Sequence, residues 1–323
     1  MTKRDRIQRA INGQPCDRPP FSFWCHLPQS AKKGHEAVQS HKAFYEQTDV
    51  DFIKMMIDGY RDISQGYTVN GPDDWAGLRL PDMKSAFVLE QIEMICALYS
   101  ATGGEVPLVY HMFSPYSVMR MIWGHELIRA HMEDEGARPK LLAALDRITS
   151  FQAEAAASYL EKSPAAGLMV TLSGAEQDGP GEQVFRQIVL PSDMAVLSAV
   201  EKTGKWSMLH LCGWGKRPDD VSFWKDYPTD VMDYDTAEET QLPLADAKEF
   251  FTRAKAVMGG FGCGPGAVLR TGDECAVRAH TRECVKQGGH TGYIVGAGSS
   301  FPPGQVPVPL FRAVGNTLKE GVE

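Results

Sequence analysis

The feature that most limits what this chain can fold into is an alternation of short apolar runs with longer amphipathic ones. The short runs fall at Phe21–His26, Phe52–Ile57, Leu108–Met112, Leu168–Leu172, Ser207–Leu211, Val231–Tyr234, Ala256–Phe261 and Tyr293–Val295. Most are continuously apolar, the pattern of parallel strands covered on both faces. Helical stretches separate them: Ala86–Ala101, Leu141–Glu161, Leu244–Lys255 and Glu274–Gln287. In the second of these, Leu141, Leu145, Ile148 and Phe151 recur at helical spacing. Gly288 and Gly289 end the last one, as glycine does at a left-handed C-terminal position.

Strand–helix alternation predicts a parallel sheet with right-handed crossovers. Eight such units predict closure into a (β/α)8 TIM barrel, with an open doubly wound sheet as the alternative. A chain of 323 residues, 43% of them hydrophobic, is long enough for one such barrel domain over 1–323. The N-terminal residues read as a helical extension. Gly59–Lys84, with a turn at Gly71-Pro72-Asp73-Asp74, reads as a long loop over the barrel mouth.

Composition narrows the partners. A net charge of -8 argues against nucleic acid. No segment approaches the roughly 18 apolar residues that span a bilayer. The charged start Met1–Arg6 has no apolar run behind it, so neither a signal peptide nor a membrane location is expected. Seven cysteines (Cys16, Cys25, Cys96, Cys212, Cys263, Cys275, Cys284) are an odd set spread too thinly for a disulfide framework. The expectation is a cytoplasmic enzyme acting on a small-molecule substrate.

In barrel enzymes the chemistry gathers where the strands end. Those positions hold His26, Asp58, His111, Glu176, His210 with Cys212, Asp233 with Asp235, Cys263 and Ser299. His210 and Cys212 lie two apart on one strand and so share a face. Imidazole and thiolate there could both bind zinc, with Cys263, Asp233 or Asp235 as third ligand. A buried cysteine beside a hydrogen-bonded core histidine gives the same pattern. Asp58 reads either as a half-buried carboxylate with a raised pKa, serving as acid, base or charge stabiliser, or as half of an Asp58-Gly59 turn.

His111, and His26 with its neighbour Trp24, read either as packed aromatic-flanked groups or as substrate contacts. His35, His41, His125, His131, His280 and His290 read as surface groups. The glycine runs Gly259–Gly264 and Gly296–Gly298 suit phosphate-binding loops or plain turns. Neither has the acidic partner of a dinucleotide fingerprint.

Together these motifs resemble the uroporphyrinogen decarboxylase superfamily over nearly the whole chain. Arg6-Ile-Gln-Arg-Ala-Ile-Asn-Gly13 followed by Asp17-Arg-Pro-Pro20 is similar to its N-terminal signature. The Asp51–Asp58 spacing is similar to the segment carrying its essential aspartate, and Gly288–Pro303 resembles its closing strand and loop. The resemblance implies a distorted barrel and a homodimer. The decarboxylases themselves hold a polycarboxylated tetrapyrrole through an arginine-rich segment. Here that segment is Phe21–Pro28, which has no arginine to supply the counter-charges.

A second branch comprises methyltransferases that work with corrinoid proteins. These hold zinc through His-x-Cys-Gly and a cysteine after the last strand, and the zinc activates a thiol. His210-Leu-Cys-Gly213 resembles the first half, while the expected cysteine falls on Ser299, leaving Cys263 as the substitute. Three functions follow from the resemblance. The first is methyl transfer between a corrinoid, or a methylated small molecule, and a small acceptor, with zinc on His210, Cys212 and Cys263, catalytic Asp58 and His111, and Trp24, His26, Glu176, Asp233 and Ser299 facing substrate. The second is a metal-free decarboxylase or lyase centred on Asp58. The third is a non-catalytic corrinoid or tetrapyrrole binder.

Overall fold

The computed structural model describes residues 1–212, 219–236 and 242–321. Seven of the apolar runs form parallel strands: β1 (Ile53–Lys54), β2 (Leu108–Phe113), β3 (Gly167–Leu172), β4 (Trp206–Leu211), β5 (Thr229–Asp233), β6 (Ala254–Phe261) and β7 (Tyr293–Ala297). They pair in sequence order within one sheet, each neighbour parallel to the last. Parallel neighbours require a crossover between them, and helices on the outer face supply most of these. The principal ones are α1 (Lys3–Ile11), α2 (Gly34–Thr48), α3 (Ala86–Ala101), α4 (Pro115–Trp123), α5 (His125–Glu133), α6 (Arg138–Glu161), α7 (Leu190–Lys202), α8 (Glu274–Gly288) and α9 (Val308–Glu320). Every residue of β2 and β3 is buried, as continuous apolar runs demand. The sheet curls like a TIM barrel without closing into one.

The expected eighth strand over Phe21–His26 does not form. Its place is held by isolated bridges, Phe21 to Val295 and Cys25 to Phe301. On the β7 side, Ser22 N donates to Val295 O at 3.0 Å and Val295 N to Pro20 O at 2.8 Å. On the β1 side, Asp51 N donates to Phe21 O at 2.9 Å and the Ser22 hydroxyl to Phe52 O at 2.8 Å. Pro19 and Pro20 bring no N–H, so the ladder cannot extend toward the start of the segment. Beyond Ser22 the chain leaves β1 and follows the loop after β7, with Trp24 O and His26 N bonded to Phe301. The barrel therefore has a seam between residues 23–28 and 53–56.

The N-terminal signature acts as a clamp at the bottom of that seam. Asp51 is fully buried and accepts four bonds: from Arg6 at 2.6 Å, from Arg18 at 2.7 and 3.0 Å, and from Phe21 N at 2.9 Å. Arg6 also holds Asp17 at 2.7 Å through two nitrogens.

Three expectations about the periphery change. The Leu244–Lys255 helix is only a short turn of helix at Leu244–Phe250, because β6 already begins at Ala254. The 59–84 stretch, expected as a long loop, is held by its aromatic side chains. Trp75 is fully buried and donates to His131 at 2.9 Å, and Trp123 donates to Tyr67 O at 3.0 Å. His131 is therefore no surface group, and neither is His41. The His41 Nδ1 bonds Ala37 O at 2.7 Å and its Nε2 accepts Met56 N at 2.8 Å, fastening the end of β1 to α2. Among the described residues, no helix is long and apolar enough to cross a membrane.

Candidate active site

Strand periodicity sets which side chains meet. Thr171, His210 and Asp233 are register partners across β3, β4 and β5, so they form one row. His210 Nδ1–H donates to Asp233 Oδ2 at 2.7 Å, with both side chains buried. The bond fixes the imidazole's orientation and leaves Nε2 as the nitrogen for chemistry. Burial raises the Asp233 pKa, against the His210 hydrogen bond that pulls it down. Its Oδ1 is buried with no hydrogen-bond partner among the described residues. At the other end of the row, His111 Nε2 meets the Thr171 hydroxyl at 2.7 Å. Burial, helped by the positive charge of Lys54, keeps His111 neutral by lowering its pKa far below the usual value.

A second cluster closes the end of β1. Asp58 accepts from His26 Nδ1 at 2.9 Å, from Leu27 N at 2.8 Å and from Arg61. The expected upward pKa shift is reversed here. Burial does push the Asp58 carboxyl up, but His26, the Leu27 amide and Arg61 outweigh it and hold it at about 2. Asp58 is thus a fixed anion at neutral pH, not a proton donor.

Between the clusters lies Lys54, which the sequence reading passed over. It is 3% exposed, stands over the Trp24 ring at 5.1 Å, and donates to Met56 Sδ at 3.3 Å. Burial brings its pKa down to about 7, opposed by the charges of Asp58, Asp233 and Cys212. The edge of Trp24 meets His210 with ring centroids 6.5 Å apart, so Trp24 touches both groups. Arg61, also passed over, lies over Phe113 at 5.9 Å, and Phe113 packs on His111 at 4.9 Å. His26, Asp58, His111, His210 and Asp233 thus surround one interior end of the sheet together with Trp24, Lys54 and Arg61.

Other expected residues fall elsewhere. Glu176 is wholly enclosed and paired to Arg120 at 2.8 and 3.0 Å, joining the loop after β3 to α4. The Cys263 thiol donates to the Ser299 carbonyl at 3.1 Å, so those two positions are neighbours. Gly298 answers to packing, since a Cβ there would stand 2.0 Å from the Asp235 Cα. Gly260, at φ +111°, would drive a Cβ to 2.8 Å from Cys284 Sγ.

Zinc is the metal that the sequence resemblance implies. His210 lies on β4 and Cys212 one residue past its end, but a held zinc needs a third protein donor. Among the described residues, no group of three or more His, Cys, Asp or Glu side chains is placed to bind a metal ion. Asp233 holds His210 Nδ1 and leaves Nε2 to face a ligand, while the Cys263 thiol bonds the Ser299 carbonyl. Among the described residues the zinc site is therefore not complete. Gly213, the last residue of the motif, lies outside the described residues.

A barrel-like sheet with histidine, carboxylate and lysine converging at its strand ends defines an enzyme-type α/β scaffold. Residues 64–320 match the family described as uroporphyrinogen decarboxylase (URO-D), and the chain belongs to that family. No curated protein matches it in sequence. Among solved structures it is similar to a methyltransferase from Methanosarcina mazei, at 18% identity and a TM-score of 0.81, covering 99% of both chains. It is also similar to a B12-independent methionine synthase from Shewanella sp. W3-18-1 solved in complex with selenomethionine. That match has 12% identity and a TM-score of 0.58, covering 94% of this chain and 96% of that one.

Proposed function

We propose that this chain is a methyltransferase-type enzyme that moves a methyl group from a methyl-corrinoid, or a methylated small molecule, to a small acceptor bearing an acidic S–H or N–H. The carrying observation is the buried His210–Asp233 pair at 2.7 Å, set at the ends of adjacent strands. His210 Nε2 takes the acceptor's proton as the nucleophile forms, and Asp233 holds the ring and offsets the charge that develops on it. The acceptor's electron pair forms the new bond to the methyl carbon, and the bond to the donor breaks with its pair left on the leaving group. Asp58, held ionised by Arg61 and His26, provides a fixed negative charge beside the reacting centre. No step passes through zinc. The likeness to the Methanosarcina methyltransferase supports the fold on which this reading rests.

The test is to mix the purified chain with methylcobalamin and simple thiols and follow loss of the cobalt–methyl absorbance. The reading expects turnover that survives a chelator and is lost in His210→Ala. Turnover abolished by chelation and restored by zinc would replace it with a metal-activated thiol, and corrinoid binding without turnover would replace it with a carrier.

The Asp58 cluster favours a second reading, a metal-free lyase in which this anion stabilises developing positive charge. It predicts carbon dioxide release from a carboxylated substrate, with no methyl transfer.

A further inference from the structure

The seam between residues 23–28 and 53–56 opens a cavity of about 300 Å³, with walls that include Phe23, Phe44, Met56 and Val306. At the ~30 Å³ that liquid water takes per molecule, it has room for about ten small groups. Two of the lining residues are Trp24 and Lys54, each 3% exposed. The Trp24 Nε1 is buried with no hydrogen-bond partner among the described residues. The Lys54 ammonium has three donors, and its recorded acceptor is the weak thioether of Met56 at 3.3 Å. The nearby carboxylates do not complete it. Asp58 is bound by His26, Leu27 N and Arg61, and Asp233 Oδ1 remains unpartnered without a bond from Lys54.

An unsatisfied cation and an unsatisfied N–H are costly to bury unless something else uses them. We propose that this cavity is a binding subsite for the carboxylate of an apolar-bodied small molecule, with the Lys54 ammonium and the Trp24 indole N–H as its donors. The apolar walls take the body of the ligand and the two donors take its charged end. A charge-assisted bond to an ammonium is the strong kind, and Met56 Sδ gives way to a better acceptor. Trp24 also meets His210, so a single ring separates this cavity from the proposed proton acceptor. This deepens the reading above by naming what the substrate or acceptor carries, and it rests on that reading for turnover but not for binding.

The test compares 3-phenylpropionate with its uncharged amide by calorimetric titration at pH 6, where Lys54 is protonated. The expected result is saturable binding with the carboxylate at least tenfold tighter than the amide. Lys54→Met should weaken the carboxylate at least tenfold and leave the amide unchanged. His210→Ala should retain the carboxylate affinity, so loss of turnover and loss of this subsite are read separately. Equal affinity of carboxylate and amide for the native chain would overturn the proposal without recourse to any variant. So would an undiminished carboxylate affinity in Lys54→Met, or the absence of saturation.

Discussion

Replacing Asp51 by asparagine tests whether the N-terminal signature is a structural clamp. In the native chain one carboxylate, wholly buried, answers both Arg6 and Arg18 and also caps Phe21 N. Arg6 would keep Asp17 after the change, because its Nε and Nη2 remain bonded there at 2.7 Å. Arg18 would keep the Pro19 carbonyl at 3.0 Å and at most the one neutral amide oxygen left at position 51, with its side chain 7% exposed. The asparagine amide would also point two donors at guanidinium donors.

Removing one partner of a buried pair costs about 3–5 kcal/mol, chiefly because the other charge stays buried. With an unfolding entropy of about 2.1 cal/mol/K per residue, each kcal/mol lowers the melting temperature of a chain this long by roughly 1.5 °C. The expected fall is therefore on the order of 4–8 °C, read by thermal unfolding with tryptophan fluorescence. Asp17→Asn is the control, since Asp17 is 43% exposed and its pair should be worth under about 1 kcal/mol. Added salt should leave the Asp51 effect nearly unchanged, as screening reaches buried pairs poorly. A loss for Asp51→Asn no larger than for Asp17→Asn would refute the clamp.

Further outcomes follow from the charged groups. Asp58→Asn should lower kcat/KM about 10- to 100-fold, the worth of a charge-assisted bond of roughly 1.5–3 kcal/mol. Because the folded Asp58 pKa is depressed to about 2, its stabilisation is present above the ordinary 3.8 and lost as pH falls toward 2, which an acid titration of the two proteins would show. Asp193 titrates the other way: burial lifts it to about 7, with Ser114 and Tyr227 pulling it back. The folded chain then holds that proton longer than the unfolded one, so stability should decline as pH rises from about 4 to about 7, and Asp193→Asn should flatten the slope in denaturant titrations. Glu176→Gln, which leaves the buried Arg120 cation with only Ser173 and a neutral amide oxygen, should cost about 3–5 kcal/mol in the same assay while leaving KM unchanged.

Seven of the eight strands were legible because a parallel strand buried on both faces must be apolar throughout, and β2 through β7 are long enough to show it. Phe21–His26 carries the same apolar signature yet is no strand, and the signal lay in its flanks: Pro19 and Pro20 remove donors from the ladder. The ring of His26, Asp58, His111, His210 and Asp233 was legible because strand ends converge in this fold. Their charge states were not. The pKa of Asp58 is set by Leu27 N and His26 from a different segment and by Arg61 from the loop beyond.

His41 and His131 misled for a related reason. A histidine on a helix does not reveal which face it occupies, and both are buried by partners distant in sequence, Met56 N and Trp75. Lys54 could have been found, since a lysine inside the apolar run Phe52–Ile57 has no solvent to reach and calls for a reason.

The proposed proton-handling pair, His210 with Asp233, is tested by a double-mutant cycle on methyl transfer. His210→Ala, Asp233→Asn and the double variant would be compared for kcat/KM with methylcobalamin and a thiol, each checked for native unfolding behaviour. Groups that act as one unit give non-additive losses. Each single variant should lose roughly 10²–10⁴-fold, the usual scope of general base catalysis, and the double variant should lose no more than His210→Ala alone. Losses that multiply, or an Asp233→Asn variant with native activity, would contradict it.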